Sequence, residues 1–115
     1  MKTSELQGPS LDWAVAKSDP FFQDLQMSAE FGVYWTDEDG VEIVYSPSTD
    51  WAQGGPIIER EKIALYLNGD DGWTGEDGWK RATGPTPLVA AMRCYVASKL
   101  GDEVEVPEGL GEVTA

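Results

Sequence analysis

The sequence predicts an α+β fold, with a small antiparallel sheet, a C-terminal helix packed on that sheet and a short N-terminal helix. Two observations predict it. Apolar residues have helical spacing near both ends of the chain, whereas segments nearer the middle alternate as strands do. The elements also lack the β-α-β alternation that is typical of parallel sheets. At 115 residues the chain is long enough for one core, so we expect a single domain over residues 1–115.

The first predicted element is a short helix over Ser10–Ser18, which the Ser10 side chain could cap. Its apolar face has the spacing i, i+3, i+4 and consists of Leu11, Ala14 and Val15. Asp19-Pro20 should end the helix, because a residue that precedes proline avoids the helical conformation. Apolar side chains that should anchor the core follow in a segment of unassigned structure: Phe21, Phe22, Leu25 and Met27.

The next two predicted elements form a β-hairpin. Residues alternate in character along Phe31–Thr36, and again along Val41–Tyr45, as in two strands. The Asp37-Glu38-Asp39-Gly40 segment between them has the composition of a turn, and Gly40 can take a left-handed conformation there. The clustered carboxylates should keep this turn in solvent.

The middle of the chain is predicted as two long loops around one strand. Ser46–Gly55 is rich in turn-forming residues and is predicted as a loop. Pro56–Leu67 is ambiguous, because its apolar residues fit both a strand and a helix. We favour a strand, since Ile57-Ile58 follows a Gly-Gly-Pro corner and the far end is apolar and aromatic. Asn68–Gly84, rich in Gly and Asp, is predicted as the second loop.

The last clear element is a helix over Thr86–Leu100. Thr86 could cap it, Pro87 fits its first position and Gly101 suits its C-terminal exit. The face expected to pack on the sheet consists of Leu88, Ala91, Met92, Tyr95 and Val96. A final short strand or tail could be formed by Val104, Val106 and Leu110.

The charge balance and the residue types exclude several functions. Eight Lys and Arg against 21 Asp and Glu give a net charge of −13, so we expect no direct binding of nucleic acid or membranes. The absence of histidine excludes Ser-His-Asp and Cys-His nucleophiles and imidazole-ligated metals. We expect no enzymatic activity, no cofactor and no metal site. Cys94, the single cysteine, fits a reducing compartment and should be a small buried side chain.

The candidate ligand site centres on the Ser46–Gly55 loop. A connecting loop needs turn formers but does not need Trp51 or Gln53, and long, chemically rich loops often bind ligands. We expect this loop to form one wall of a concave site, with Trp51 lining it and stacking on a planar ligand. The predicted ligand-binding residues are Trp35, Tyr45, Ser46, Thr49, Asp50, Trp51, Gln53, Gly54, Gly55 and Arg60.

Two arginines have alternative interpretations in so acidic a chain. Arg60 could extend from a strand into the same cleft as Trp51 and bind an anionic group, or it could pair with a neighbouring carboxylate. Arg93 is expected to be partly buried on the last helix and to pair with a carboxylate.

Three segments resemble a family of small bacteriophage accessory proteins, the NinX-like family: Leu11–Lys17, Tyr45–Glu61 and Gly84–Lys99. Gly101–Pro107 also fits. The resemblance implies a phage origin and action in the host bacterial cytoplasm. It implies no established enzymatic activity and supplies no catalytic residues.

Two functional hypotheses follow from these residues and from the phage context. The first is a non-catalytic binder of a small polar, nucleotide-like ligand, which sequesters a host signal in counter-defence. Sites of this kind often lie at subunit interfaces, so a homodimer is compatible with it. The alternative is an acidic inhibitor of a host protein, whose carboxylates mimic a nucleic acid and which needs no pocket.

Overall fold

The computed structural model describes residues 1–19, 25–28, 32–69 and 72–107. Within these ranges the helices are α1 (Gly8–Ser18), α2 (Trp51–Glu61) and α3 (Pro87–Leu100). One antiparallel sheet consists of β1 (Gln26–Ser28), β2 (Gly32–Thr36) and β3 (Glu42–Val44), in that order. A second antiparallel sheet consists of β4 (Ala64–Leu67), β5 (Trp73–Glu76) and β6 (Arg81–Gly84). The α+β prediction is confirmed, but the strands form two small sheets instead of one.

The core is built around α3, as predicted from its capping and apolar residues. The Thr86 hydroxyl accepts a hydrogen bond from the Val89 amide at 3.1 Å, and Pro87 occupies the first turn. The predicted apolar face is buried, and so is every other residue from Leu88 to Ala97. The helix packs on the second sheet on one side and on α1 and α2 on others, so it is enclosed around most of its circumference.

Two glycines allow α3 to lie close to the second sheet. A Cβ atom on Gly84 would lie 2.7 Å from the backbone nitrogen of Ala90, and one on Gly75 would lie 3.0 Å from the Ala90 carbonyl oxygen. Real Cβ atoms essentially never come within 3.0 Å of another heavy atom, and a distance of 3.0 Å is tighter than nine in ten real contacts. Glycine on β5 and β6 therefore sets the distance between the helix and the sheet.

The N-terminal helix is longer than predicted. It begins at Gly8, with Pro9 in its first turn, so Ser10 lies inside the helix and does not cap it. Its end at Ser18, directly before Asp19, agrees with the prediction. Of the expected anchors that follow, Leu25 packs against the core but Met27 is exposed, because it lies on the edge strand β1. Phe21 and Phe22 lie outside the described residues.

The predicted β-hairpin is confirmed over its described residues. Strands β2 and β3 pair antiparallel, with Trp35 opposite Ile43. Gly40 has a φ of +82°, and the Asp37 carboxylate accepts hydrogen bonds from the Asp39 and Val41 amides, each at 2.9 Å. The Asp37 side chain thus stabilises the acidic turn, whose other carboxylates lie in solvent.

The prediction for residues 51–61 is wrong, because this segment is α2. The Asp50 carboxylate caps the helix by accepting a hydrogen bond from the Ala52 amide at 2.9 Å. Pro56 lies within the helix, and Lys62 ends it in a left-handed conformation with a φ of +56°. The strand predicted over Pro56–Leu67 exists only in its last four residues, which form β4.

The Gly-Gly-Pro sequence serves helix packing instead of a sharp corner. A Cβ atom on Gly54 would lie 2.4 Å from the Pro47 carbonyl oxygen and 2.6 Å from Cδ2 of Leu88. A Cβ atom on Gly55 would meet nothing within 4 Å. Gly54 therefore allows α2 to dock on the preceding turn and on α3, and this tertiary contact outweighs the weak helix propensity of the sequence.

The prediction of a loop over Asn68–Gly84 is also wrong, since this segment contains β5 and β6. These strands pair antiparallel, with Thr74 opposite Thr83, around a turn at residues 77–80. The turn is fixed by Asp77, whose carboxylate accepts hydrogen bonds from the Trp79 and Lys80 amides and from the Ser98 hydroxyl on α3.

The two ends of the described chain lie together. Glu103 forms an isolated antiparallel bridge with Lys2, and the Val104 carbonyl accepts a hydrogen bond from the N-terminal ammonium at 2.9 Å. Val104 is buried, but no strand forms around it or Val106, and Leu110 lies outside the described residues. Among the described helices, none is long and apolar enough to span a membrane.

Candidate functional site

The ten predicted ligand-binding residues follow the chain from the first hairpin to the end of α2, and the structure gives them different roles. Trp35 and Tyr45 belong to the core or its edge, with their rings edge to face at 6.2 Å. Neither residue is among those that line the cavity at Trp51 described below. These two aromatic residues therefore support the fold near the site.

The polar residues before α2 mostly hold the turn in place. The Gln53 side chain accepts a hydrogen bond from the Ser46 amide at 2.6 Å and donates one to the Val44 carbonyl at 3.0 Å. Asp50 is the helix cap, and Gly54 is a packing residue. The Gln53 amide, expected to contact a ligand, is thus already engaged by backbone groups on both sides.

Trp51 lies at a small cavity, in the first turn of α2. Its side chain is 54% exposed. The cavity has a volume of about 240 Å³, and its lining residues come from the turn before α2 and from the start of α3: Ser48, Thr49, Trp51, Thr86, Pro87, Leu88 and Val89. We call it the Trp51 cavity. The sequence identifies Thr86 and Pro87 as helix-start residues but does not predict that the start of α3 lines this cavity.

The Trp51 cavity combines an aromatic surface with hydroxyl groups and two helix N-termini. Ser48, Thr49 and Thr86 contribute hydroxyls, and Leu88 and Val89 contribute apolar surface. The N-termini of α2 and α3 both border the cavity, and each carries a partial positive charge. None of the lining residues is acidic or basic. The arrangement suits a planar, polar group that stacks on the indole.

Arg60 does not approach the Trp51 cavity. It lies nine residues further along α2, which corresponds to about 14 Å of helix. Its guanidinium pairs with Glu61 at 2.9 Å and with the buried carboxylate of Asp19 at 3.6 Å, and it donates to the Tyr95 hydroxyl at 3.1 Å. The placement on a strand was therefore wrong, and the geometry favours the structural ion pair.

The groups around Arg60 form a largely buried polar cluster. Tyr95 donates a hydrogen bond to the Ser18 carbonyl at 3.2 Å, which ties α3 to the end of α1. Burial, together with the nearby Asp19 charge, raises the pKa of the Tyr95 hydroxyl to about 12, although Arg60 acts in the opposite direction. Tyr95 therefore stays protonated at neutral pH and acts as a structural donor.

Asp12 connects α1 to the turn that borders the Trp51 cavity. Its carboxylate accepts a hydrogen bond from the buried Ser48 amide at 2.9 Å. Burial raises the pKa of Asp12 to about 6, and hydrogen bonding from Ser48 only partly opposes this shift. The position of Ser48 at the cavity thus depends on a carboxyl group whose charge is costly in the interior.

The single cysteine is enclosed in the core. Cys94 is buried, its thiol donates to the Lys80 carbonyl at 3.4 Å, and burial raises its pKa to about 12. In the part of the chain that the structure describes, no group of three or more Cys, Asp or Glu side chains is arranged to hold a metal ion.

Two residues outside the predicted site stand out. Trp79, in the turn between β5 and β6, is 90% exposed. The guanidinium of Arg93 is nearly buried and donates to the Leu6 and Thr83 carbonyls at 2.8 and 2.9 Å. No carboxylate within the described ranges pairs with Arg93, so the burial predicted for it is confirmed but the carboxylate partner is wrong.

Most of the sequence matches a known protein family. Residues 2–99 match the family model described as Bacteriophage P22, NinX. The chain belongs to the NinX family. The matched range contains both sheets and the Trp51 cavity, and it ends before the Gly101–Pro107 segment that also resembles the family. The chain matches no curated protein.

Proposed function

We propose that this NinX family protein is a phage accessory protein that binds a small polar, nucleotide-like ligand without transforming it. It would thereby sequester a host signal in the bacterial cytoplasm as a form of counter-defence. The observation that carries this proposal is the half-exposed indole of Trp51 beside a cavity that two helix N-termini border. Base–indole stacking contributes about 1–3 kcal/mol per base in other proteins.

The composition of the Trp51 cavity supports binding over catalysis. Its lining includes no carboxylate, lysine, cysteine or tyrosine, so none of the lining side chains can act as a general acid or base near neutral pH. The three hydroxyls can orient a base or a sugar through hydrogen bonds. The protein would therefore hold its ligand unchanged.

The size of the cavity suggests that it takes only part of the ligand. Its volume of about 240 Å³ lies below the roughly 300–1,000 Å³ of typical small-molecule pockets. A nucleobase would fit the cavity while the rest of the ligand lies outside it. A second copy of the chain could cover that outer part, which is why a homodimer belongs to this proposal.

The experiment that tests the proposal is ligand capture. The purified protein is incubated with host small-molecule extract and with a panel of nucleosides and nucleotides, and native mass spectrometry identifies what remains bound. We expect the parent protein and Trp79→Ala, which lacks the other strongly exposed indole, to retain the same ligand. Trp51→Ala should lose most of it. Capture that survives in Trp51→Ala but not in Trp79→Ala would move the site to the β5–β6 turn.

The alternative, an acidic inhibitor of a host protein, has weaker support. Asp12 and Asp19 are buried, and Glu61, Glu76 and Asp102 pair with cations of the same chain. The exposed carboxylates of the first hairpin turn are the clearest remaining acidic surface. Capture of a host protein that replacement of Glu38 and Asp39 by lysine abolishes would favour this alternative.

A further inference from the structure

A second cavity, of about 410 Å³, lies between the N-terminal segment, β6 and α3. Three of the eight basic residues of this strongly acidic chain line it: Lys2, Arg81 and Arg93. It shares no lining residue with the Trp51 cavity. We call it the Arg93 cavity. The concentration of cations at one place suggests a role that the fold alone does not require.

Arg93 is the central observation. Arg93 is only 9% exposed, yet both of its hydrogen bonds go to neutral backbone carbonyls, those of Leu6 and Thr83. These bonds use two of the five N–H groups of the guanidinium, and among the described residues no other group accepts from it. Burying a cation without a counter-charge is unfavourable, and here the buried cation also lines a cavity.

The other charged groups of the cavity are arranged around its mouth. Lys2 is exposed and has no ion-pair partner within the described ranges, and Arg81 pairs with Glu76 at 2.7 Å on the surface. The two acidic lining residues already have cationic neighbours, because Asp102 pairs with Lys80 at 3.4 Å and Glu103 lies 4.0 Å from the N-terminal ammonium. The local balance at Arg93 therefore favours an anion.

We propose that the Arg93 cavity binds a small oxyanion, a phosphate or carboxylate group carried by a molecule of metabolite size. Arg93 would recognise the group with its free N–H donors, and Lys2 and Arg81 would attract it at the mouth. This proposal is independent of ligand binding at Trp51.

Three physical arguments support this assignment. The two carbonyl bonds hold the guanidinium in place, so little conformational freedom is lost when an oxyanion binds to it. The volume of about 410 Å³ falls within the roughly 300–1,000 Å³ that small-molecule sites occupy. The net charge of −13 repels a long polyanion. For a small anion, salt screens this repulsion beyond about 8 Å, so the cations close to the cavity determine whether the anion binds.

The test is an NMR titration of the complete protein labelled with ¹⁵N. Inorganic phosphate and acetate are added in separate titrations, and sodium chloride of matched ionic strength is the reference. We expect saturable shifts at the Arg93 side-chain Nε–H signal and at the Lys2 and Arg81–Thr83 amides. The anion that binds more tightly identifies the group that the cavity prefers.

The variants separate binding from folding. Lys2→Gln with Arg81→Gln removes two exposed cations, so it should keep the fold and weaken binding by roughly tenfold for each lost contact. Lys62→Gln removes one exposed positive charge outside the cavity and should bind like the parent. Arg93→Lys keeps the charge but loses the planar fork, and it should bind weakly even where its amide spectrum shows a native fold.

Two results would overturn the proposal. One is that phosphate and acetate both give only linear shifts that match those in sodium chloride. The other is that the double variant, Lys2→Gln with Arg81→Gln, binds the anion as tightly as the parent and the Lys62→Gln control do. Trp51→Ala should leave anion binding unchanged, so failure at one cavity can be distinguished from failure at the other.

Discussion

Replacing the two adjacent glycines of α2 by alanine should change stability by different amounts. Gly55→Ala places a methyl group in open space in a helix interior. Alanine is intrinsically favoured over glycine in a helix by about 0.8–1 kcal/mol. However, Gly55 precedes Pro56, whose ring crowds the Cβ of a preceding helical residue, so the two effects should largely offset each other and Gly55→Ala should be close to neutral. Gly54→Ala has the same intrinsic advantage, but its methyl group would lie 2.4 Å from the Pro47 carbonyl oxygen and 2.6 Å from Leu88.

The packing conflict at Gly54 should outweigh the helix propensity. Leu88 could move its terminal methyl group, whereas the Pro47 carbonyl is backbone and can relieve the clash only if the turn or α2 shifts. Overpacking costs about 1–3 kcal/mol, and more where backbone must move, so the net effect of Gly54→Ala should be a loss of about 1–2 kcal/mol. The two variants should therefore differ by about 1–2 kcal/mol.

Urea denaturation followed by circular dichroism measures this difference, and thermal melting gives a second readout. For a domain of this size 1 kcal/mol corresponds to about 4–6 °C, so the two melting temperatures should lie about 4–12 °C apart. If both variants are stabilised equally, α2 does not pack on Pro47 and α3. If both are destabilised equally, the close contact of Gly54 with Pro47 does not distinguish the two positions.

Three further changes test the core and the buried charges. Met92→Asp would bury an unpaired carboxylate in the centre of α3 and should destabilise the protein by about 3–5 kcal/mol in urea denaturation; a loss below 1 kcal/mol would show that this face is not core. Because burial raises the pKa of Asp12 from 3.8 to about 6, the folded state binds more protons than the unfolded state between these values, so this group lowers stability as the pH rises from about 4 to 6. Asp12→Asn should remove that part of the pH dependence and raise stability at pH 7 by up to about 3 kcal/mol, and an unchanged pH profile would contradict the assignment. Arg60→Ala should lower stability by about 1–2 kcal/mol, because it leaves buried Asp19 without its cation, although the partial exposure of Arg60 limits the effect; a variant as stable as the parent would show that the pair has no structural role.

Elements with strong local signals were predicted from the sequence. The helix α3 has a threonine cap, a proline in its first turn and a glycine after its last residue, and all three take the predicted roles. The first hairpin has alternation on both sides of an acidic turn that ends in Gly40. These signals act within a few residues, so they do not depend on the rest of the fold.

The helix α2 was missed because its glycines and proline have low helix propensity. The sequence did contain a start signal, since Asp50 is followed three residues later by Gln53, as in a capping box. Asp50 does cap the helix, whereas Gln53 reaches back to the Ser46 amide and the Val44 carbonyl. The contact of Gly54 with Pro47 and α3 favours the helix. Because α3 is distant in the sequence, local sequence patterns could not predict this contact.

Strands β5 and β6 were missed for a related reason. Gly75 and Gly84 weaken the strand signal, yet both are needed so that the second sheet can lie close to α3. At the candidate site, the prominence of Trp51 was visible in the sequence, but its contact with the start of α3 was not. Arg60 was predicted to reach the same cleft as Trp51 because its segment was predicted to be a strand. The segment is a helix, so the predicted position of Arg60 was wrong.

The most direct test of the proposed function is calorimetric titration of the captured ligand into the parent, Trp51→Phe, Trp51→Ala and Trp79→Ala. If the indole stacks on the ligand, Trp51→Ala should weaken binding by about 1–3 kcal/mol, Trp51→Phe by less, and Trp79→Ala not at all. Trp79→Ala should melt near the parent temperature because that indole is almost fully exposed, and the Trp51 variants should melt only slightly lower because that indole is half exposed. Equal affinities for the parent and Trp51→Ala would contradict the central claim that this cavity holds the ligand.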